Sequence, residues 1–246
     1  MKRIRKFYNK YKYQLITLLS FSSLCIWIGI FGWYYFLATL VLGLIIHNFA
    51  HSFYIHRVCA HNHFKLSNFW HWIGITLFTM TNLGSPPVYV AVHLNHHKFS
   101  GNDHDPHDPY RLGPLKLFLS LWDSSFAPDR KFLAIMMKND RMKLFHKFHL
   151  HIALFSSIFT PFIIVYAHLL SKIPIGIVHL QNIGYASKTT DTDTSRNVPW
   201  LKPITWGEEL HNNHHKSASR ANHNFEGSLR ELDLIYLFGK LIETKK

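Results

Sequence analysis

From Gln14 to Phe53 the chain carries no charged residue. A run of that length suffices for two helices that each cross a bilayer with about 20 residues, and Gly29 and Gly32 offer a place to turn. The pattern predicts a helical hairpin, 14–31 and 33–54, with Trp27, Trp33, Tyr34 and Tyr35 as an aromatic belt on the far side. The preceding MKRIRKFYNKYKY is basic with no acid, so it stays on the cytoplasmic side. This start imitates a secretory signal. The apolar run is too long for one, however, and lacks a small-residue cleavage site.

The next apolar segment, 64–92, is broken by His71 and by Gly84-Ser85-Pro86-Pro87. It predicts a helix over 66–82 that lies in the membrane interface without crossing it. Residues 101–114 (GNDHDPHDPYRLGP) read as a turn-rich loop, 115–127 as amphipathic, and 128–147 as a basic cytoplasmic stretch. A second apolar stretch, 144–184, contains Pro161 and Ser171-Lys172-Ile173-Pro174. Two short or kinked crossings are expected there, about 148–165 and 167–184. Residues 186–210 are polar, and the tail 227–244 sets Leu229, Leu232, Ile235, Tyr236 and Leu241 at helical spacing. The predicted fold is an all-α integral membrane protein with four crossings and a cytosolic helical cap. It forms a single domain, 1–246, divided into a first hairpin (14–54), cap (55–147), second pair (148–184) and cap again (185–246).

Histidines stand at the ends of these apolar spans. His93-Leu94-Asn95-His96-His97 sets three imidazoles at i, i+3 and i+4, able to face one spot on a helix, and His211-Asn212-Asn213-His214-His215 repeats the pattern. His56 and His61 form a third box, HRVCAH, so that the three boxes hold eight of the chain's 20 histidines. Such clustering points to metal ligation. Eight imidazole nitrogens exceed the needs of one tetrahedral zinc and suit two metals of higher coordination number. All three boxes must lie on one side of the membrane to share a site, which requires an even number of crossings. His47 and His51, at i, i+4 on the second predicted helix, either extend the site inward or hydrogen-bond to neighbours. The second is the plainer reading.

Composition adds little that contradicts this. There are 27 Lys+Arg against 14 Asp+Glu. The excess collects beside apolar spans, as in cytoplasmic membrane loops, and not on a soluble basic face, which argues against nucleic acid. Cys25 lies in an apolar span and Cys59 inside a histidine box, so no disulfide is expected. No HExxH, GxSxG, GxGxxG or P-loop pattern is present.

The boxes HRVCAH, HLNHH and HNNHH, with VAVHLNHHKFSGNDHDPHDP, DTSRNVPW, GEELHNNHH and RELDLIYLFGKLIE around them, resemble the membrane fatty-acid desaturases of the acyl-CoA and acyl-lipid Δ9 type over roughly residues 45–245. The resemblance implies a di-iron centre that uses O2 and two electrons to introduce a double bond into an acyl chain. The chain would be carried by CoA, ACP or a lipid, and the electrons by a ferredoxin or cytochrome b5 type donor. It implies a multi-pass protein of a bacterial inner membrane or the endoplasmic reticulum, with termini and metal site on the cytoplasmic side. His56, His61, His93, His96, His97, His211, His214 and His215 would be the iron ligands. Asp105 and His107 in the DPH segment, and Glu208 before the last box, would support them from behind. Arg57 would pair with an acid or a substrate headgroup.

One departure matters. The family's further histidine, four residues before the Tyr of a Gly-Tyr pair, is replaced here by Gln181, and the Asn four residues earlier by Ile177. His179 lies about 200° round a helix from Gln181, so it serves as the ninth ligand only if the helix is shifted or unwound there. If neither His179 nor Gln181 coordinates, one iron is under-liganded and the chain reads as an inactive relative. His104 is expected to support the ligands from behind or to lie at the surface, with metal binding as the alternative, and His63, His71, His146, His149, His151, His168 and His223 are expected to be ordinary polar residues. Two rival readings remain: a di-iron lipid hydroxylase of the same superfamily and, from a different class, a histidine-rich membrane metal-binding or transport protein.

Overall fold

The computed structural model describes residues 2–106, 108, 110, 113, 128–187 and 189–244, with side chains from residue 11 onward. The predicted amphipathic stretch 115–127, and His107, lie outside the described residues.

Helix α1 spans Lys2–His47 but leaves helical geometry at Gly32 (φ 78°, ψ −170°), a conformation that a residue without Cβ adopts at little cost. The chain folds back there. Thr17 Oγ1 lies 3.3 Å from His168 Nε2, and Gly43 lies so close to the Tyr166 ring that a Cβ would overlap it. On a straight helix Thr17 and Gly43 would be about 39 Å apart, yet they touch side chains only two positions apart in sequence. α1 is therefore folded back on itself at Gly32, within the stretch where the sequence places the turn. Outward-facing Leu18, Ile26, Ile30, Trp33 and Val41 leave its outer surface apolar.

α1 runs on into a π-helical segment, Asn48–Ala60. Then follow α2 (Asn68–Met80), within the predicted 66–82, and α3 (Pro86–Phe99), which starts on proline where a missing N–H costs nothing. α4 (Arg130–Met136) and α5 (Asp140–Phe159) are capped by Asp129 and Asn139, whose side chains accept the first free backbone N–H groups. α6 (Pro161–Ile177) leaves α5 at an angle of 107°. The break falls at Thr160–Pro161, earlier than the expected 165–167. Pro161 has no N–H to continue α5 and pushes Thr160 out of the helical region (φ −135°, ψ 50°).

Short helices α7 (Lys202–Thr205) and α8 (His211–Lys216) and a docked α9 (Leu234–Ile242) complete the chain. The described residues form helices and turns without a strand; Tyr185, Asn197 and Leu210 pair only as isolated bridges. The tail helix is shorter than its pattern predicts. Asp233 caps it by accepting Tyr236 N–H, which leaves Leu229 in a preceding turn. Leu229 (84% exposed) and Leu241 (83%) point outward, while Ile235 (1%) is buried and Phe238 packs on Phe49 and Phe53. The main core joins Phe53, Ile55, Phe64, Phe78, Val90 and Ile235. It clamps the π-helical segment between α2, α3 and α9, which is what holds the histidines in place. Tyr11–Ala60 is a helical stretch long and apolar enough to cross a membrane, and α5 with α6 passes the same criterion as one bent pair.

Candidate metal centre

Nine histidines converge into two groups: His56, His61, His93, His97 and His214 in one, and His96, His179, His211 and His215 in the other. Within each group one ring nitrogen from every residue lies within 4.8 Å of the rest. These are the nine residues that the sequence singles out.

The boxes do not each face one spot, however. His93 and His97 enter the first group while His96 enters the second; His211 and His215 enter the second while His214 enters the first. The reason is helical geometry. Positions i and i+4 differ by about 40° round the axis, whereas i+3 lies about 100° from i+4. Each HxxHH box therefore gives a pair to one group and a single residue to the other, and the two boxes do so in opposite senses.

His56 and His61 are five residues apart, a spacing that splays two side chains on an α-helix. The π-helical backbone corrects this. His61 N–H donates to His56 C=O at 3.1 Å, an i→i+5 bond that sets one residue above the other. His179 joins because α6 stops at Ile177. Val178 caps the helix and the next residues turn, so His179 is only 2% exposed with its Nε2 3.1 Å from His211 Nε2. Gln181 is exposed, and its backbone N–H donates to the Tyr110 hydroxyl. The turn needs Gly184 (φ +68°), where a Cβ would strike the Asn197 carbonyl.

The ring nitrogens answer whether a metal fits. Nε2–Nε2 separations are 3.0 Å for His56–His214, 2.8 Å for His61–His93, 3.0 Å for His93–His97, 2.8 Å for His97–His214 and 3.2 Å for His96–His215. Two nitrogens at right angles on a metal, each about 2.1 Å away, are about 3.0 Å apart. Behind them, His56 Nδ1 meets Glu208 at 2.6 Å, His96 Nδ1 meets Asp105 at 2.7 Å, and His215 Nδ1 meets Asp193 at 3.1 Å. A carboxylate at Nδ1 keeps the proton there and leaves Nε2 with its lone pair. In the His96–His215 pair the two Nε2 atoms face each other at 3.2 Å with a carboxylate on each ring's other nitrogen, an arrangement that suits a cation between them. Burial, reinforced by neighbouring imidazoles and charges, moves His61 down to about 3 and lowers His97, His179, His211, His214 and His215. All are thus neutral near pH 7, the form that binds metal.

Asp105 and Glu208 stand where the sequence reading puts them. Asp193 has no role assigned from sequence, although it lies in the DTSRNVPW segment. It also accepts from Thr189, Ser195 and Ser100. Burial alone would raise its carboxyl, but these donors and His215 bring it well below the usual range. Arg57 takes an acid partner: it is wholly buried, donating to Glu208 at 3.0 Å, Asp233 at 2.7 Å and His223 Nδ1 at 3.0 Å. His223, an ordinary histidine by sequence, is fully buried with its ring 4.8 Å from that of His214. No spacing signal marks it. His104 is exposed against Phe99, away from both groups. His47 and His51 also stay outside them, stacked on one another at 4.7 Å, with His51 Nε2 2.6 Å from the Tyr89 hydroxyl. The cysteines are free.

In chelator-stripped protein these buried imidazoles make stability depend on pH. The folded-state pKa of His61 lies near 3, below the ordinary 6.5. Protonation therefore favours unfolding, and its contribution is whole above pH 6.5 and is lost as pH falls towards 3. The expected slope is about 1.4 kcal/mol per pH unit for each such histidine. Denaturant titrations between pH 7 and 5 measure it, and a flat profile contradicts neutral burial.

The described residues form a helical protein in which two neighbouring all-histidine groups, each able to hold a metal ion, are backed by carboxylates. The fatty acid desaturase family model matches residues 31–226, and the chain belongs to that family. It is 28% identical over 185 residues to Delta-9 acyl-lipid desaturase 1 of Arabidopsis thaliana, covering 70% of this chain and 61% of that protein. It is 27% identical to Delta-9 acyl-lipid desaturase 2 of the same plant (70% and 60%). It is also 26% identical over 209 residues to the sn-1 stearoyl-lipid 9-desaturase of Synechocystis sp. (76% and 62%). The chain spans about 60% of the length of the first two.

Proposed function

We propose that this chain is an O2-dependent fatty-acyl desaturase of Δ9 type, with two irons held by the nine histidines. The observation that carries the reading is the convergence of nine histidine ring nitrogens into two groups, with carboxylates behind His56, His96 and His215. Bound there, two irons supply the activation of O2 needed to remove two hydrogens from an unactivated acyl chain. The chain's own residues do the rest. Glu208, Asp105 and Asp193 orient His56, His96 and His215 and offset metal charge. Arg57 holds Glu208 in place, and His179 completes the second group.

The topology that goes with this is four crossings, two from the α1 hairpin and two from the bent α5–α6 pair, with the clusters in a cap at the cytoplasmic face. The whole forms one domain. The apolar outer surfaces of α1 and α5, among them Phe155 and Phe159, support it. The acyl chain arrives on CoA, ACP or a lipid, and electrons come from a ferredoxin or cytochrome b5 type donor. The metal-transport reading wants ionisable groups strung along a path; here nine histidines close on two points.

The test is metal analysis of the purified protein together with mass spectrometry of lipids from cells expressing it. About two irons per chain and products lighter by two hydrogens are expected. Products heavier by one oxygen would instead identify a hydroxylase, and zinc alone or a single metal per chain would overturn the di-iron assignment.

A further inference from the structure

The second half of the hairpin turns apolar side chains outward as far as Val41, Leu42 and Ile45. One turn beyond Ile45, about 6 Å along the axis, Phe49 would continue that surface, yet it is covered. Trp70 of α2 and Phe238 of α9 pack on its ring at 5.8 and 5.9 Å. At the neighbouring position Asn48 donates from Nδ2 to the Ile204 carbonyl of α7 at 2.8 Å. Ile235 N–H in turn donates to the Trp206 carbonyl at 2.8 Å. α7 and α9 are therefore tied to each other and, separately, to the end of the hairpin's apolar surface.

α9 has two unlike faces. Ile235 and Gly239 are buried, Gly239 so close to the Phe64 ring that a Cβ would overlap it. Leu237 and Leu241, four residues apart and so on one side of the helix, are exposed. The α7 end repeats this. Trp200, in the turn that leads into α7, is 62% exposed, and Ile204 is exposed too. Leu229, whose carbonyl accepts from Lys202 Nζ at 2.6 Å, points outward beside them. One exposed leucine is ordinary, but five large apolar side chains on two linked segments, anchored where an apolar hairpin surface ends, extend that surface. Tryptophan is also the side chain favoured at the headgroup level of a bilayer.

We propose that α7 and α9 form a collar lying in the plane of the membrane surface, with Trp200, Ile204, Leu229, Leu237 and Leu241 seated between the lipid headgroups and the acyl chains. This rests on the reading above that the hairpin crosses a bilayer. The occupant is lipid because the face begins where the hairpin's own apolar surface stops, within the depth that an in-plane amphipathic helix reaches. The part of the chain that follows the last histidine box is thus not wholly in water. Through Ile235, α9 also belongs to the core that holds the π-helical segment of His56 and His61, so the bilayer braces the first metal group from outside.

The test places nitroxide labels on the full-length protein in phosphatidylcholine nanodiscs, at Trp200→Cys, Leu237→Cys and Leu241→Cys in turn. The background is Cys25→Ser, and that parent without an added cysteine sets the signal from Cys59. Val41→Cys serves as the hairpin reference and Ser219→Cys, at an exposed position of the cap, as the aqueous one. Accessibility to dissolved oxygen relative to a water-soluble nickel chelate is read by power-saturation EPR. The ratio at all three collar positions is expected to exceed that at Ser219 several-fold and to approach that at Val41. A ratio equal to that at Ser219 overturns the collar, and a high Val41 value then shows that the hairpin reading still stands. Shielding from both probes also overturns it, because a second copy or another protein then covers the face. A Val41 ratio as low as that at Ser219 overturns the hairpin reading and the collar with it. The unsubstituted protein gives a second measurement, in nanodiscs doped with a lipid that carries a diazirine on its upper acyl chain. Crosslinks to the peptides bearing Trp200 and Leu237–Leu241 are expected, and crosslinks confined to the hairpin overturn the collar.

Discussion

The His179→Ala protein is expected to lose metal from the second group and, with it, all measurable product, while Gln181→Ala keeps both. The second group has only four histidines, so removing one leaves three nitrogens for a metal of higher coordination number. Changes to residues that merely support ligands cost 10–100-fold in metal affinity or activity, and loss of a ligand should exceed about 100-fold. The measurement is metal content per chain beside product yield in the same preparations. The opposite pattern, with Gln181→Ala depleted and His179→Ala intact, would mean that α6 continues past Ile177 and turns Gln181 inward. His179→Gln is a useful control, because it keeps a polar group of similar reach and still lacks the imidazole.

The second large effect concerns stability. Arg57→Met should destabilise the fold by about 3–5 kcal/mol, since it strands the Asp233 and Glu208 carboxylates without their cation. Asp233 also accepts from His223 N–H and caps α9 through Tyr236 N–H, so the tail helix loosens too. Arg57→Lys should rescue little, because one ammonium cannot reproduce a guanidinium that donates to Glu208, Asp233, His223 and the Ala221 carbonyl at once. The metal site should feel the change. Burial already lifts the Glu208 carboxyl to about 7 against the pull of Arg57. Without Arg57 it takes up a proton near neutral pH and is a poorer acceptor for His56. Thermal unfolding in detergent, with and without added Asp233→Asn, measures this. The double variant should recover part of the loss, and an Arg57→Met protein as stable as the parent would contradict the buried network.

Most of the residues that cluster in the fold were legible in the sequence. The uncharged run from Gln14 to Phe53, the glycine that breaks it, and three histidine boxes at the ends of apolar spans are local patterns, set by composition and spacing. They determined an all-helical chain, a turn near Gly29–Gly32 and eight of the nine clustered histidines; His179 entered only through the family resemblance, on condition that its helix was shifted or unwound. Partners drawn from distant segments were legible only where a flanking motif named them, as with Asp105 and Glu208.

Tertiary structure decided how the histidines divide. Helical spacing already separates His96 from His97, and His214 from His215, round their axes, but only the fold brings the boxes together so that each pair meets the single residue of the other box. It also decided that residues 48–60 wind as a π-helix, without which His56 and His61 would splay, and that α6 ends at Ile177, which turns His179 inward and Gln181 out. It chose the acids Asp233 and Glu208 for Arg57, and placed Asp193 behind His215. The acid partners of Arg57 and His215, and the meeting of the boxes, rest on contacts between residues more than 20 positions apart. Their energies come from burial and charge pairing in the folded chain, which no local window of sequence contains.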